Sequence, residues 1–392
     1  MAETAYLFYI AHPCTFSRIL GVKESGYLMA SLRPITIRRM LTPSIYIQGK
    51  GAIYYLGQKA FPLGDKAFVV GGTTALQVAG EHVKKSLVSN GIEVVGWNDK
   101  VKECTHAAIN RLAEEGKHTK AHFVVGVGGG RAIDTAKAAA WKLKVPVISV
   151  GTQCASNADG SAESVVYTED HKFLEVLALP RNPVMVIEDT DVIAKAPPKY
   201  MVWGMGDALA CKFEGEAYAK TRMMKQDLEI PPAAALALGD ACFRSLMEHG
   251  QKAITDLKNG NHSVDVDDVI EAVKLASAMA FENTGCALAH ALHNGLTRTG
   301  QIKGEHGEIV AYCTIVQMVY EKRPADEIRG VVAWCEKIGL PTKLKMLGEP
   351  SKAALRMASD YAADKDANSR NMPGKMKPSE ILEAIDKVER GS

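Results

Sequence analysis

Between residues 44 and 151, short runs of β-branched and other apolar residues alternate with longer stretches of helical periodicity, which leaves few architectures open. SIYIQ (44–48), KAFVVGG (66–72), IEVVGW (92–97), AHFVVGVG (121–128) and PVISVG (146–151) read as strands. Residues 74–89, 104–116 and 131–143 carry Ala, Leu, Val and Ile at i, i+3 and i+4, the spacing of an amphipathic helix. Nearly continuous apolar strands need cover on both faces, and the intervening helices supply it, so the segment predicts a parallel sheet with crossover helices. SVVYT (164–168) and VMVIED (184–189) continue the β pattern less regularly, and after the break at 195–198 helical periods run to the C-terminus. The expected class is an α/β unit followed by an all-α unit. The boundaries predicted are 1–36 for an N-terminal extension, 37–190 for the α/β domain and 191–392 for the helical domain.

Composition narrows the partners. Lys plus Arg number 47 against 45 Asp plus Glu, a net charge of +2, so no global basic field draws this chain to nucleic acid or anionic lipid. No run approaches the roughly 18 apolar residues of a membrane span, and residues 1–36 lack the pattern of a secretory signal. Eight cysteines are scattered without a CxxC, which suits free thiols in a cytoplasmic, reducing setting. A small molecule is the expected partner.

At the end of the buried run AHFVVGV the chain reads Gly126-Val127-Gly128-Gly129-Gly130-Arg131-Ala132-Ile133-Asp134, then continues as an Ala-rich helix. Three consecutive glycines remove every Cβ from a strand-to-helix turn, so backbone N–H groups and the helix N-terminus can approach a pyrophosphate. A tight packing turn is the alternative. The spacing is not G-x-G-x-x-G. Arg131 either adds charge to a phosphate contact or is a solvated residue of the first helical turn.

Most of the 11 histidines, including His82, His106, His118, His122, His171, His249 and His262, stand alone where a solvated imidazole is expected. His290 and His293 form an i, i+3 pair on one face of an apolar helix that should stop at Gly295, and His306 follows between glycines in Gly304-Glu305-His306-Gly307. Such imidazoles, joined by one carboxylate and leaving a position open, make a catalytic divalent-metal site. The candidate acid is Asp207, in the apolar, Gly-rich helix start Trp203-Gly204-Met205-Gly206-Asp207; an N-cap is its other reading.

Together GVGGGRAIDTAK, the run at 178–197, GMGDALA, ALAHALHNGLT and the HGE after it resemble the glycerol dehydrogenases of the iron-containing alcohol dehydrogenase and dehydroquinate synthase superfamily. The resemblance covers about residues 37–392 and leaves the first 36 outside. It implies a Rossmann-like N-terminal domain and an all-helical C-terminal domain, the dehydroquinate synthase-like fold, with NAD and a divalent ion, usually zinc with iron as the alternative, in the cleft between. It places the ligands on Asp207, His290 and His306, and the pyrophosphate turn, with Asp134 after it, on Gly128, Gly129 and Gly130. Thr152, Ser161 and Tyr167 fall at the nicotinamide side, and His293 near the substrate as a proton relay. A homo-oligomer, an octamer, is implied too.

Two departures bear on substrate and cofactor. The carboxylate that holds the adenosine ribose is replaced by Val70-Gly71-Gly72-Thr73-Thr74, which removes the repulsion excluding a 2′-phosphate and admits NADP. The family's Ser-Thr-Asp-Ala-Pro becomes Ala155-Ser156-Asn157-Ala158-Asp159, so Asn157 stands at an aspartate that helps hold the polyol, with Asp159 as a substitute if the loop shifts. The resulting expectation is metal-assisted hydride transfer between a polyol, glycerol or a related vicinal diol, and NAD(P). The rivals are an sn-glycerol-1-phosphate dehydrogenase, for which only Arg298 and Lys303 lie between the histidines as phosphate binders, a dehydroquinate synthase-like lyase using NAD transiently, and a binding protein without catalysis.

Overall fold

A computed structural model describes residues 37–225 and 230–391; the N-terminal extension expected at 1–36 lies outside them. The strands of the first half are β1 (Ile45–Gly49), β2 (Lys66–Gly71), β3 (Glu93–Asn98), β4 (Phe123–Gly128), β5 (Val147–Gly151) and β8 (Met185–Asp189), in the spatial order β1-β8-β5-β4-β2-β3, every pair parallel. Strands β4, β5 and β8 are buried along their whole length, which is why they read as unbroken apolar runs. Helices α1 (Leu56–Ala60), α2 (Thr73–Val88), α3 (His106–Thr119) and α4 (Gly130–Leu143) connect them. The chain winds outward from β2 to β3 and then returns to place β4 on the other side of β2. Strand order therefore reverses between β2 and β4, and the crevice outside their carboxyl ends is where such sheets bind ligands.

Strands β6 (Glu163–Tyr167) and β7 (Phe173–Ala178) form a separate antiparallel hairpin. The sequence pattern marks β6 but not β7. FLEVLA is exposed along nearly its whole length, so no burial pattern marks it as a strand.

After Asp189 every described regular element is helical: α5 (Thr190–Ile193), α6 (Pro198–Lys225), α7 (Ala233–Lys258), α8 (Val264–Glu271), a π-helical turn (Ala272–Ala276), α9 (Ser277–Thr284), α10 (Leu288–Thr297), α11 (His306–Tyr320), α12 (Ala325–Ile338), α13 (Lys352–Asp364) and α14 (Pro378–Arg390), with short 3-10 turns between. Helix α11 is apolar all round and is the central rod of this half, packed against α6, α10 and α14. No described helix is long and apolar enough to cross a membrane. The seven described cysteines are free thiols.

Two local expectations change. Asp207 lies ten residues inside α6, not at a helix start, and the N-cap reading falls with that. Helix α10 continues past Gly295 to Thr297. A Cβ on Gly295 would stand 2.4 Å from the Ala358 carbonyl oxygen, so this glycine serves close packing against α13 instead of terminating the helix.

Candidate metal and nucleotide site

Helices α6 and α11 cross in backbone contact. A Cβ on Gly307 would lie 1.8 Å from the Trp203 carbonyl oxygen, and one on Gly206 would lie 2.3 Å from that of Gly307. The glycines beside Asp207 and His306 thus set how closely the two helices meet, and that distance brings the two side chains together. The Asp207 carboxylate Oδ1 is 3.4 Å from His290 Nε2 and 3.4 Å from His306 Nε2. One carboxylate and two imidazoles converging from three helices form a donor set suited to a divalent ion with a coordination position left open. His306, with 47% of its side chain accessible, faces the open side, while Asp207 is at 8%.

The surrounding groups orient these donors. His290 Nδ1 donates to Glu214 Oε2 at 2.6 Å, and Glu214 Oε1 accepts the amides of Ala287 (2.7 Å) and His290 (2.9 Å), so one buried carboxylate fixes both the ring and the start of α10. That bond leaves His290 Nε2 for the ion. Glu214 is absent from the sequence expectations; its one signal is that it follows Asp207 by seven residues, two turns along the same face of α6. His306 Nδ1 is 3.1 Å from His293 Nε2, whose Nδ1 is 3.0 Å from Asn294 Oδ1; the Asn294 amide donates to Asp366 Oδ2 at 2.9 Å.

Burial alone would raise the Asp207 carboxyl, but His306 and His290 outweigh it and hold it well below the usual carboxylate range. Burial would likewise lower His290, yet Cys286, Glu214 and the bond to Asp207 push it well above an ordinary imidazole. For His293, burial and the His306 charge act together to depress its pKa, keeping the ring neutral.

The glycine turn lies at the switch-point crevice. Gly128 has φ of +151°, and a Cβ there would stand 2.8 Å from Ala132 Cβ, while one on Gly129 would stand 1.9 Å from Gln153 Nε2. Gly129 N-caps α4 without any side-chain cap, which leaves bare amides at the N-terminus of a 14-residue helix, the geometry that receives a phosphate. Arg131 is exposed, with Nε 3.4 Å from Glu103 Oε2. Thr152 is buried, its amide donating to the Gly128 carbonyl at 3.1 Å. Tyr167 is mostly buried, and burial with the Asp134 and Glu103 charges pushes its hydroxyl up to about 12.

Other residues are placed differently from expectation. Asp134 turns into the wall between α4 and β6, accepting the Val165 amide at 3.0 Å and lying 2.9 Å from Lys137 Nζ, so its carboxylate is committed within the protein and not to a cofactor. Lys137, which the sequence analysis does not single out, donates to the carbonyls of Ala158 (2.7 Å) and Ser161 (3.2 Å) and lies 3.3 Å from Ser161 Oγ, holding the loop after β5. Asn157 donates to Ser277 Oγ at 3.0 Å. Asp159 is fully buried in an ion pair with Lys274 of the π-helical turn, which removes it as a substitute polyol ligand. Several histidines expected to stand alone are paired with carboxylates: His262 with Asp191 and Asp267, His249 with Asp265, and the more exposed His106 with Glu175 and His171 with Glu103.

The loop from 152 to 161 joins the two centres. Gly204, one turn before Asp207, packs so tightly beneath it that a Cβ would be 2.2 Å from the Cys154 carbonyl oxygen, and Ser156 Oγ lies beside Gly130. The family model for iron-containing alcohol dehydrogenases matches residues 43–190. Glycerol dehydrogenase of Citrobacter freundii is 36% identical over 349 residues, covering 88% of this chain and 95% of that one. The chain belongs to the iron-containing alcohol dehydrogenase family. The Thermotoga maritima glycerol dehydrogenase is 35% identical over 363 residues, 90% of this chain and 97% of its own. In three dimensions, a probable glycerol dehydrogenase from Sinorhizobium meliloti superposes with a TM-score of 0.82 at 29% identity, over 91% of this chain and 99% of that structure. The chain is accordingly an oxidoreductase of this family.

Proposed function

We propose that this enzyme transfers a hydride between a polyol, glycerol or a related vicinal diol, and a nicotinamide dinucleotide in a reaction that requires a divalent metal. The observation that carries this reading is the convergence of Asp207, His290 and His306 across one loop from the bare glycine turn. An ion held there, zinc with iron as the alternative, supplies Lewis acidity that lowers the pKa of a substrate hydroxyl. The chain's own groups do the rest. Amides at Gly128, Gly129 and Gly130 receive the pyrophosphate, and Thr152, Ser161 and Tyr167 line the nicotinamide end. Glu214 aims His290. Because His293 Nε2 is engaged by His306, we assign that ring to orienting His306, in place of a free proton relay at the substrate.

NADP is accepted beside NAD on this reading, because the turn at 70–74 carries no carboxylate to repel a 2′-phosphate. The glycerol-1-phosphate alternative is disfavoured: Arg298 stacks on the Tyr361 ring at 4.4 Å. A cytoplasmic homo-oligomer, an octamer by family resemblance, with the domain boundary near 190, completes the proposal. The test is absorbance at 340 nm with glycerol and NAD or NADP, before chelation, after it and after zinc return. Chelator-sensitive reduction supports the reading. Turnover that survives complete metal removal would sink it, and so would the absence of any net cofactor reduction with polyols.

A further inference from the structure

Asn157 gives its amide to Ser277 Oγ, and most of the nearby carboxylates are committed as well. Asp159 is paired with Lys274, Asp134 with Lys137 and the Val165 amide. Glu282 accepts the Ala162 amide at 2.6 Å and the Asn182 amide at 2.5 Å. Two carboxylates in the neighbourhood have no hydrogen bond or ion pair among the described residues: Glu188, which is sealed from solvent and so out of a substrate's reach, and Glu163, the first residue of β6, which is only partly buried. Alternation along β6 puts Glu163, Val165 and Tyr167 on the partly open face, with Ser164 and Val166 buried behind it. Tyr167 is the residue assigned above to the nicotinamide end. The preceding residue, Ala162, is tied by its amide to Glu282, and the chain from Glu282 reaches Cys286 and the ligand His290 four and eight residues later. Glu163 therefore opens the hairpin beside the segment that leads from Glu282 to the metal ligand His290, whose charge it feels.

The charged groups around it are Glu282 on α9, Lys137 and Asp134 on α4, and His290 on α10. Burial, then Glu282, lifts its pKa to about 6, so it is ionised at neutral pH, and the Cys286 thiol feels its charge in turn. A mostly buried carboxylate without a protein partner needs a hydrogen-bond donor. A polyol offers one.

We propose that Glu163 is the polyol-binding carboxylate of this enzyme, accepting a hydrogen bond from a substrate hydroxyl other than the one that is oxidised. The inference rests on the function proposed above and names its specificity residue. It makes the enzyme selective for diols and triols over monohydric alcohols, because a monohydric alcohol leaves the Glu163 carboxylate desolvated and unpaired.

The experiment uses the full-length, zinc-loaded enzyme as wild type, Glu163→Gln and Glu163→Leu, with glycerol, 1,2-propanediol and 2-propanol. Circular dichroism and zinc content establish that the variants fold and load. The expected result is a KM for glycerol raised about 10- to 100-fold in Glu163→Leu, the worth of a charge-assisted hydrogen bond, with a smaller rise in Glu163→Gln, whose amide oxygen still accepts. The loss of kcat/KM with 2-propanol should be at least tenfold smaller, and the NADH dissociation constant, read by fluorescence, unchanged. Unaltered glycerol KM in both folded variants overturns the proposal. Equal losses with diol and 2-propanol, or a shifted NADH constant with unchanged glycerol KM, overturn it as well. A wild type silent with every polyol refutes the proposed function itself, and this inference with it.

Discussion

Replacing Glu214 by Gln tests whether the metal site depends on a group that touches no substrate. Glu214 accepts the His290 Nδ1 proton at 2.6 Å while its other oxygen receives two backbone amides. Glutamine keeps the shape and can keep both amide contacts through its oxygen. Its NH2 group then meets the His290 Nδ1–H, donor against donor. The ring can relieve this only by moving its proton to Nε2, the nitrogen the ion needs, or by rotating away from Asp207. Loss of such an orienting carboxylate typically weakens metal binding 10- to 100-fold, about 1.4–2.7 kcal/mol. Competition against a chromophoric chelator at fixed pH measures this directly, and kcat/KM at saturating zinc should recover a substantial part of the loss. Zinc affinity within threefold of wild type would refute the reasoning, showing that His290 is held by packing alone.

Lys274→Met leaves the Asp159 carboxylate buried without its partner and should destabilise folding by about 3–5 kcal/mol, with Lys274→Met/Asp159→Asn recovering most of it in denaturant titration. Gly307→Ala forces a methyl into the Trp203 carbonyl and should part α11 from α6, lowering zinc content and costing about 1–3 kcal/mol; unchanged zinc occupancy would contradict the role given to the α6–α11 crossing. The raised Glu163 pKa has a stability consequence with a definite sign. A carboxyl whose folded pKa of about 6 exceeds its unfolded value contributes stability that is fully present below the unfolded pKa and lost as pH rises through 6. Glu163→Gln removes that dependence, so the variant should gain on wild type by about 1 kcal/mol between pH 4.5 and 7, after allowance for partial exposure. Parallel pH profiles of Tm for the two proteins would contradict this.

The class of fold is legible in the sequence, because a strand buried on both faces must be apolar throughout and a crossover helix must be apolar on one face. Both constraints act within a dozen residues, which is why β1 to β5, the glycine turn and α4 were visible. β7 carries no such signal, because it is an exposed hairpin strand with neither face buried. The chemical types of the metal ligands are also legible, with Asp207 marked among the acids by its apolar, glycine-rich setting. Tertiary structure alone decided that Asp207 sits mid-helix, that Gly204, Gly206 and Gly307 are there for backbone contact, and that Glu214 aims His290. It likewise took Asp159 and Asp134 out of the cleft and left Glu163 without a partner. Local sequence carries periodicity, which is a property of near neighbours. The partner of a buried charge is chosen by packing between segments far apart in the chain, 115 residues for Asp159 and Lys274 and 138 for Asp189 and the Gly51 amide. No local pattern records that choice.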